Sequence, residues 1–421
     1  MKRIRVALIS QDLRQGGGVA ALNRFVYKYL TSPEHAAKGI VFDPKVIAYA
    51  PFKYHPDLSV SVLNLFNHGR GVGEATVNTD GVPQVLIGAV FPELEINRYR
   101  PNTVWKQVLG EFDIHHFITG VAMLGYPLVS EKNTVQKKYV AWVASTLRDE
   151  RAGMLARLTP PQRVYEDAIV RRCEILEREV LTHASHLCSL SPYTQTILHR
   201  RYPELSSPGG VPQSVMTSPV DTHLYRPLQE TDKKSADSGY LLMVGRINDE
   251  RKNVPLLLEA YTIAKSTLKS LPKLKLAGDT PKPALVEQRK RLNLENDVEF
   301  CGAVGAEALP VLYRNASLFI LPSLQEGLGI VLLEAMASGV PVISTRSGGP
   351  EIIISDGTDG LFAENNNPYD LAEKILDMMT NAGFRRRLGE AARRKAVQKF
   401  SVEAIGGDVI SIYRKVYPEL F

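Results

Sequence analysis

The sequence has little of several features, and each shortage excludes a class of protein. Only three of its 421 residues are cysteines, which leaves no disulfide framework or zinc site to expect and favours a reducing, cytoplasmic setting. No apolar run approaches the ~18–20 residues of a transmembrane helix. No basic run is interleaved with aromatic residues, so we expect no nucleic-acid partner. With 44% hydrophobic and 23% charged residues, the composition is that of a globular protein.

The first residues resemble a signal peptide only superficially. The basic residues Lys2, Arg3 and Arg5 precede an apolar stretch, but that stretch covers only residues 6–10 and has no small-residue cleavage site. We therefore expect this segment to be a buried strand.

The charge balance is mildly basic. Lysine and arginine total 51 and aspartate and glutamate 45, a net charge of +6, which favours an anionic ligand. Basic residues also cluster at 385–387, at 393–395 and at Lys399. A solvated helix face is the simpler interpretation of this cluster, and peripheral contact with the inner face of an acidic membrane is the second hypothesis.

The order of apolar runs and glycines predicts two α/β domains. A strand at 5–10, a Gly16–Gly18 loop and a helix at 19–30 form the opening unit of a doubly wound parallel sheet. After a polar stretch at 229–239, which we expect to be a linker, strands and helices alternate again. The strands expected there are Tyr240–Val244, Lys273–Ala277, Val298–Cys301, Ser317–Leu321, Val340–Ser344 and Gly360–Phe362, and the helices are Val254–Ser270, Pro281–Leu292, Ala308–Asn315, Gly329–Ser338 and Pro368–Asn381.

The stretch 321–342 carries the most informative motif. A strand ends near Leu321, a loop holds Glu326, Gly327 and Leu328, and a helix begins near Gly329 and Ile330. Glu326 precedes the helix, where we expect its carboxylate to contact sugar hydroxyls as a catalytic candidate. The free N–H groups of a helix start bind anions, and the two glycines allow close approach, so we predict a diphosphate site here. Glu334 lies about one and a half turns into the helix, where its carboxylate can accept hydrogen bonds from a ribose diol.

Glu326 and Glu334, with seven residues between them, resemble the E-x7-E signature of retaining GT-B glycosyltransferases, especially glycosyltransferase family 4. The surrounding Pro-Ser, Glu-Gly-Leu-Gly and Gly-Val-Pro-Val segments make the match specific. The resemblance implies a GT-B fold, in which two Rossmann-like domains face each other across a cleft. It assigns residues 1–228, with a returning C-terminal helix at 401–421, to the acceptor and residues 240–400 to the nucleotide-sugar donor.

A second stretch, 241–255, is similar to the strand, Gly-Arg and lysine pattern of the same family. It places Arg246 and Lys252 just after Gly245 and a strand end, where cations can stabilise the charge that develops on a leaving diphosphate. Arg251 is an alternative to Lys252. Asn253 stands where the family usually has glycine.

Other matches are shorter. Val304 follows the strand whose backbone meets the nucleobase in the family, and Gly17 and Gly18 resemble the glycine loop that approaches the donor from the other domain. His115 and His116 lie on a strand that resembles the family's histidine-bearing strand, but with a shifted register. For His116 a catalytic role and a core position both stay open, and either histidine could take the family's role.

The resemblance implies a retaining enzyme that transfers a hexosyl unit from a nucleotide sugar to an acceptor hydroxyl. The acceptor, which the resemblance leaves unidentified, is a sugar, a lipid-linked sugar or a small molecule. No Asp-x-Asp motif stands at a strand end, so we expect no metal and no other cofactor. Two alternatives stay open. One is a sugar phosphorylase or nucleotide-sugar epimerase on the same scaffold, and the other is a catalytically silent nucleotide-sugar-binding subunit.

Overall fold

The computed structural model describes residues 2–15, 17–37, 39–62, 71–129, 138–229 and 239–421. These form two compact units, Met1–Met216 with Gly406–Phe421 and Thr217–Ile405. Each unit has a largely parallel sheet with helices, which confirms the predicted fold class of two α/β domains.

The first unit contains an eight-stranded sheet in the order β3-β4-β2-β1-β5-β6-β7-β8. Its strands are β1 (Lys2–Ser10), β2 (Ile40–Tyr49), β3 (Glu74–Thr79), β4 (Val82–Ile87), β5 (Ile114–Thr119), β6 (Val140–Val143), β7 (His186–Ser189) and β8 (Gln213–Val215). Only the β3–β4 pair is antiparallel. Val6 to Ile9 of β1 are all fully buried, as expected of a strand covered on both faces. The expected strand at the N-terminus is therefore confirmed.

The helices of the first unit follow the strands in the alternation that a parallel sheet requires. They are α1 (Gly17–Leu30), α2 (Pro33–Ala37), α3 (Glu95–Arg98), α4 (Thr103–Gly110), α5 (Leu147–Arg157), α6 (Pro160–Thr182) and α7 (Pro192–Arg201).

The second unit contains a six-stranded parallel sheet in the order β11-β10-β9-β12-β13-β14. Its strands are β9 (Tyr240–Val244), β10 (Leu274–Ala277), β11 (Val298–Gly302), β12 (Ala316–Leu321), β13 (Val342–Thr345) and β14 (Leu361–Ala363). Its helices are α8 (Val254–Thr267), α9 (Pro283–Arg291), α10 (Leu309–Arg314), α11 (Ile330–Ala337), α12 (Pro350–Ile353), α13 (Pro368–Thr380) and α14 (Ala382–Phe400). The last helix, α15 (Val402–Val416), begins in this unit and ends in the first.

The strand order of each sheet reverses once, and that reversal locates a ligand site. In the second unit the chain runs outward from β9 through β10 to β11, then returns to β12 beside β9 and runs the other way. In open α/β sheets, ligands bind at the carboxyl ends of the strands that flank such a reversal. The second unit therefore presents its binding edge after β9 and β12.

The unit boundaries differ from those expected from the sequence. The units change at 216/217 and 405/406, not after 228 and 400. The segment from residue 217 packs on the second unit because Val220 pairs with Ser401 and because Arg393 donates to the carbonyl oxygen of Thr222. Within the predicted linker at 229–239, residues 230–238 lie outside the described residues.

Candidate functional site

The residues predicted to bind the donor diphosphate come together at the binding edge of the second unit. Arg246 and Lys252 lie in the loop after β9, and the loop that contains Glu326 follows β12, the neighbouring strand. The backbone N–H of Leu324 donates to the carbonyl oxygen of Arg251 at 2.7 Å, which joins the two loops. Sequence positions about 75 residues apart thus form one surface.

Asp249 organises the cations of the loop after β9. Its carboxylate caps the short helix Glu250–Lys252 by accepting from the backbone N–H of Arg251. The Arg251 side chain pairs with it at 2.7 Å and Arg246 at 3.0 Å. The side-chain hydrogen bond from Arg251 is the main cause that lowers the pKa of Asp249 to about 2, so Asp249 is charged at neutral pH. Arg251 and Arg246 therefore share Asp249 as a partner, and the Arg246 side chain is the more exposed of the two, at 70% against 53%.

Lys252 points to the loop after β12 and forms an ion pair with Glu326. Only 15% of the Lys252 side chain and 10% of the Glu326 side chain are exposed. The hydroxyl of buried Ser323 also donates to Glu326, at 2.7 Å. Two donors therefore fix this carboxylate, and the carboxylate in turn fixes the ammonium group. Of the two cations considered for this position, Lys252 is the one that the fold places beside Glu326.

The backbone around Glu326 is held as firmly as its side chain. The Glu326 N–H donates to the carbonyl oxygen of Ser347 at 2.8 Å, and its carbonyl oxygen accepts from the N–H of Gly349 at 2.9 Å. Gly329, with φ of 88°, then turns the chain into α11. That left-handed conformation suits glycine. As at every helix start, the first N–H groups of α11 have no intrahelical partners. The predicted anion-binding helix start is therefore present as a structural element.

Gly349 allows this loop to lie where it does. A Cβ atom at position 349 would lie 2.4 Å from Cα of Leu328, which is backbone that cannot move without shifting the loop. Overpacking of this kind costs ~1–3 kcal/mol. We expect Gly349→Ala to lower the free energy of unfolding by that amount in urea denaturation.

Gly327→Ala is the matched control, because a Cβ atom there would meet nothing within 4 Å. We expect its free energy of unfolding to lie within ~0.5 kcal/mol of the wild type. Equal stability of the two variants would contradict the packing argument.

The backbone conformation at position 253 accounts for asparagine in place of the expected glycine. It precedes α8 with φ of 49° and ψ of 45°, the left-handed region that glycine and asparagine tolerate best. Its side chain also donates to the side-chain oxygen of Asn366 at 3.2 Å. The substitution therefore preserves the backbone turn that directs Lys252.

We expect Asn253→Ala to destabilise the protein by ~1 kcal/mol, because alanine adopts this conformation at a cost of ~1–2 kcal/mol. Asn253→Gly should stay closer to the wild type, since glycine pays no such strain. Thermal unfolding of the two variants measures the difference. A glycine variant less stable than the alanine variant would show that the side-chain hydrogen bond, not the backbone, decides.

Glu334 lies in α11 between two tyrosines. The Tyr313 hydroxyl donates to its Oε2 atom at 2.8 Å, and Tyr225 also donates to the carboxylate. Burial raises the pKa of Glu334, and the two hydroxyls oppose that shift. A carboxylate offers about four acceptor positions, so these two donors leave positions for a ribose diol. The tyrosines were not predicted as part of the site.

Val304 stands further along the same edge of the sheet. It follows β11, the edge strand, which is two strands away from β9, and it is half-buried. The N–H of Gly278, after β10, donates to the carbonyl oxygen of Gly302 at 2.9 Å and links the intervening loops. A role in contacting the nucleobase stays a prediction.

Gly17 and Gly18 belong to the first unit, where they open α1 directly after the loop that follows β1. The neighbouring Gly16 lies outside the described residues. The strand order of this sheet reverses between β1 and β5, so this helix start also stands at a binding edge. Their predicted approach to the donor stays a prediction.

His116 lies in the core of the first unit, which is a correction to its predicted catalytic role. It is the third residue of β5 and fully buried, with Nδ1 2.8 Å from the hydroxyl of Tyr413. Its ring stacks on Trp142. Burial lowers the pKa of His116 to about 3, so the ring is neutral. His115 is also fully buried, with Nε2 2.9 Å from the carbonyl oxygen of Leu109. The structure therefore favours the core interpretation, and neither histidine enters the proposed site.

The basic cluster near the C-terminus is only partly available to a surface partner. Lys395 pairs with Asp359 at 2.9 Å and has a side chain only 14% exposed. Arg385 and Arg393 donate to backbone carbonyl oxygens. The described helices include none with the length and hydropathy to span a bilayer. Peripheral membrane contact stays a prediction.

Within the described ranges, no three His, Cys, Asp or Glu side chains are grouped so that they could hold a metal ion. The expectation of a metal-independent site rests on the sequence and stays a prediction.

Several residues of the site were missed by sequence reasoning. Ser323, Asp249, Tyr225 and Tyr313 all position a predicted residue, yet none had been assigned a role. The Pro-Ser pair before Glu326 was a usable signal, because a small hydroxyl three residues before a buried carboxylate is well placed to donate to it. The tyrosines gave no signal, since they approach Glu334 from distant parts of the sequence.

Comparison with known proteins finds similarity to glycosyltransferases. Residues 227–395 match the family model of glycosyl transferases group 1. The chain is 25% identical to a D-inositol 3-phosphate glycosyltransferase of Paenarthrobacter aurescens, over 97% of each protein. It is 40% identical to an uncharacterised glycosyltransferase of Methanocaldococcus jannaschii over 35% of this chain. The chain spans 40% of the length of that protein and 45% of a second relative from the same organism.

Solved structures confirm the fold. Sucrose-phosphate synthase of Thermosynechococcus elongatus superposes with a TM-score of 0.69, at 19% identity and over 99% of this chain and 100% of the other. HepE of Anabaena, in complex with UDP, gives a TM-score of 0.68 at 17% identity, over 98% and 100%. The likeness supports the GT-B fold that was expected for this chain, and at these identities it concerns the fold alone.

Proposed function

We propose that the protein is a retaining, metal-independent glycosyltransferase, since residues 227–395 of its second unit match the family model of glycosyl transferases group 1. It transfers a hexosyl unit from a nucleotide-diphosphate sugar to an acceptor hydroxyl. The observation that supports this proposal most is the Lys252–Glu326 ion pair beside the start of α11, at the reversal of the sheet.

The chemistry of the site fits the departure of a diphosphate. The bond between the anomeric carbon and the β-phosphate oxygen breaks, and negative charge develops on that phosphate. Lys252, Arg246 and the free N–H groups at the start of α11 stabilise this charge without a metal ion. The nucleoside diphosphate is already a good leaving group, so no strong acid is needed.

The acceptor hydroxyl supplies the new bond. Its oxygen attacks the anomeric carbon from the face that the diphosphate leaves, and its proton passes to the departing phosphate oxygen. The configuration of the sugar is therefore retained. A double displacement would need a nucleophilic carboxylate on the other face of the sugar, and the sequence motifs of the first unit offer none.

In this scheme Glu326 has a supporting role, which differs from the contact with sugar hydroxyls expected from the sequence. Because its carboxylate is paired with Lys252 and accepts from Ser323, it holds the ammonium group in place beside the leaving phosphate. Glu334 binds the ribose of the donor, and the hydroxyls of Tyr313 and Tyr225 position its carboxylate.

The test is a nucleotide screen followed by a transfer assay. Thermal shifts with UDP, GDP and ADP identify the base, and the corresponding nucleotide sugars identify the sugar. NMR of the product with a simple sugar acceptor, in the presence of EDTA, reports transfer, anomeric configuration and metal independence together. Sugar release that requires phosphate would instead indicate a phosphorylase, and a changed donor sugar without acceptor an epimerase. Tight donor binding with neither hydrolysis nor transfer would indicate a silent binding subunit.

A further inference from the structure

A second cavity of the second unit has no place in the proposed reaction. It has a volume of about 570 Å³ and is lined by Arg385, Arg386, Arg393 and Arg394 of α14. Its other walls include Ser317 and Pro341. We call it the arginine pocket. Ser317 is near the start of β12 and Pro341 directly precedes β13, so the pocket is at the amino edge of the sheet. Glu326 lies after the carboxyl end of β12, at the opposite edge of the sheet.

The four arginines form no ion pair with any described residue. Arg393 donates to three carbonyl oxygens, those of Tyr225 at 3.0 Å, Ala337 at 2.7 Å and Thr222 at 3.0 Å. Burial lowers its pKa, so this cation is partly desolvated without a counter-ion. A charge in that position is stabilised when an anion approaches.

Arg385 is fixed in a similar way. Its guanidinium donates to the carbonyl oxygens of Met378 at 3.0 Å and Met379 at 3.3 Å, at the end of α13. These carbonyls carry partial negative charge but leave most of the positive charge uncompensated. Arg385 and Arg393 therefore provide two positioned cations on the wall of the pocket.

Arg386 and Arg394 are exposed and complete the lining. Glu390 lies four residues from each, the spacing at which helical ion pairs form, yet no such pair is made among the described residues. With four arginines and one glutamate, the charged lining has a net formal charge of 4 − 1 = +3.

We propose that the arginine pocket binds a phosphate-bearing ligand, at a site separate from the donor site. Guanidinium groups match the geometry of phosphate oxygens, and the volume lies within the range of small-molecule sites, ~300–1,000 Å³. The ligand is either a free phosphorylated metabolite or the headgroup of an acidic lipid, which present the same chemistry.

Calorimetric titration of the full chain with pyrophosphate tests this proposal. Pyrophosphate also fits the donor site, so the titration is made in the Lys252→Ala background, where that contribution is reduced. We expect the remaining binding to weaken at least tenfold in R386A/R394A, because two charged donors are lost. Both replaced side chains are exposed, and melting temperature confirms that the fold is retained.

Arg387→Ala is the matched control. Arg387 is adjacent and exposed, but it does not line the pocket and lies over the ring of Phe384. We expect the Arg387→Ala variant to bind pyrophosphate with unchanged affinity. Co-sedimentation with phosphatidic acid vesicles, against phosphatidylcholine alone, distinguishes the sources. Binding to the acidic vesicles that R386A/R394A abolishes assigns a lipid headgroup, and pyrophosphate binding alone assigns a soluble ligand.

Two results would overturn the proposal. One is that R386A/R394A leaves the binding of pyrophosphate and of vesicles unchanged, or that R387A reduces this binding as much as R386A/R394A does. The other is no binding of either probe in the Lys252→Ala background.

Discussion

Lys252→Ala is expected to lower turnover by at least ~100-fold, with the fold intact. Removal of one group that stabilises developing negative charge typically costs ~10²–10³ in turnover. Lys252 is the better buried of the two predicted cations, since only 15% of its side chain is exposed, against 70% for Arg246. A charge held away from water acts more strongly on the leaving phosphate. Single-turnover kinetics with saturating donor measures the effect.

The ion pair with Glu326 provides the control for structure. Lys252→Ala leaves the buried carboxylate of Glu326 without its partner, which by itself destabilises the loop. The double variant K252A/E326Q removes that unpaired charge, and the amide can still accept from Ser323. We expect the double variant to recover stability in urea denaturation but not turnover. Recovery of turnover together with stability would show that Lys252 acts only on the fold.

Arg251→Ala is the matched control for charge. Arg251 is the adjacent cation, 53% exposed, and its guanidinium pairs with Asp249 instead of Glu326. We expect a change in turnover of less than ~3-fold, because an exposed pair contributes little. A loss equal to that of Lys252→Ala would mean that the loop responds to total charge and not to one positioned ammonium group.

Much of the second unit was predictable because its strands are short, apolar and continuous. Tyr240–Val244 was predicted with its observed bounds, and the predicted helix at Pro368–Asn381 is one residue longer than α13. A parallel strand that is buried on both faces shows as an unbroken apolar run, and an amphipathic helix shows as a three- and four-residue period. Both signals are local. The loops that carry Lys252 and Glu326 could be located because they directly follow such strands.

Contacts between distant residues set the limit of prediction. A sequence does not show which other elements pack on the two faces of a strand. The burial of His116 could therefore not be predicted, and a catalytic role stayed open. Its partner Tyr413 is 297 positions away. The Lys252–Glu326 pair joins residues 74 positions apart, so the sequence identified both residues but not their contact. The α14 helix, 19 residues long, was expected only as a basic helix face and without bounds, because its few apolar residues are separated by charged ones.

Glu334→Ala is expected to weaken binding of the nucleoside diphosphate ~10–100-fold, with a smaller effect on turnover. A hydrogen bond to a charged group is worth ~1.5–3 kcal/mol, and a ribose diol makes up to two with one carboxylate. Glu334 lies within α11, away from the bond that breaks, so its contacts contribute to the ground state and transition state alike. Such a loss appears mainly in binding and KM. Calorimetric titration measures it.

The ligand provides a sharper control than a second variant. If the Glu334 carboxylate accepts from the ribose hydroxyls, the wild type should bind the 2′-deoxy or 3′-deoxy nucleotide more weakly than the parent nucleotide. In Glu334→Ala that preference should disappear, since the lost hydroxyl no longer has a partner. Tyr313→Phe should reduce the preference only in part, because Tyr313 holds the carboxylate but does not replace it. An undiminished preference for ribose in Glu334→Ala would place the ribose contact on another residue, and Glu334 would then serve only to accept from the two tyrosine hydroxyls.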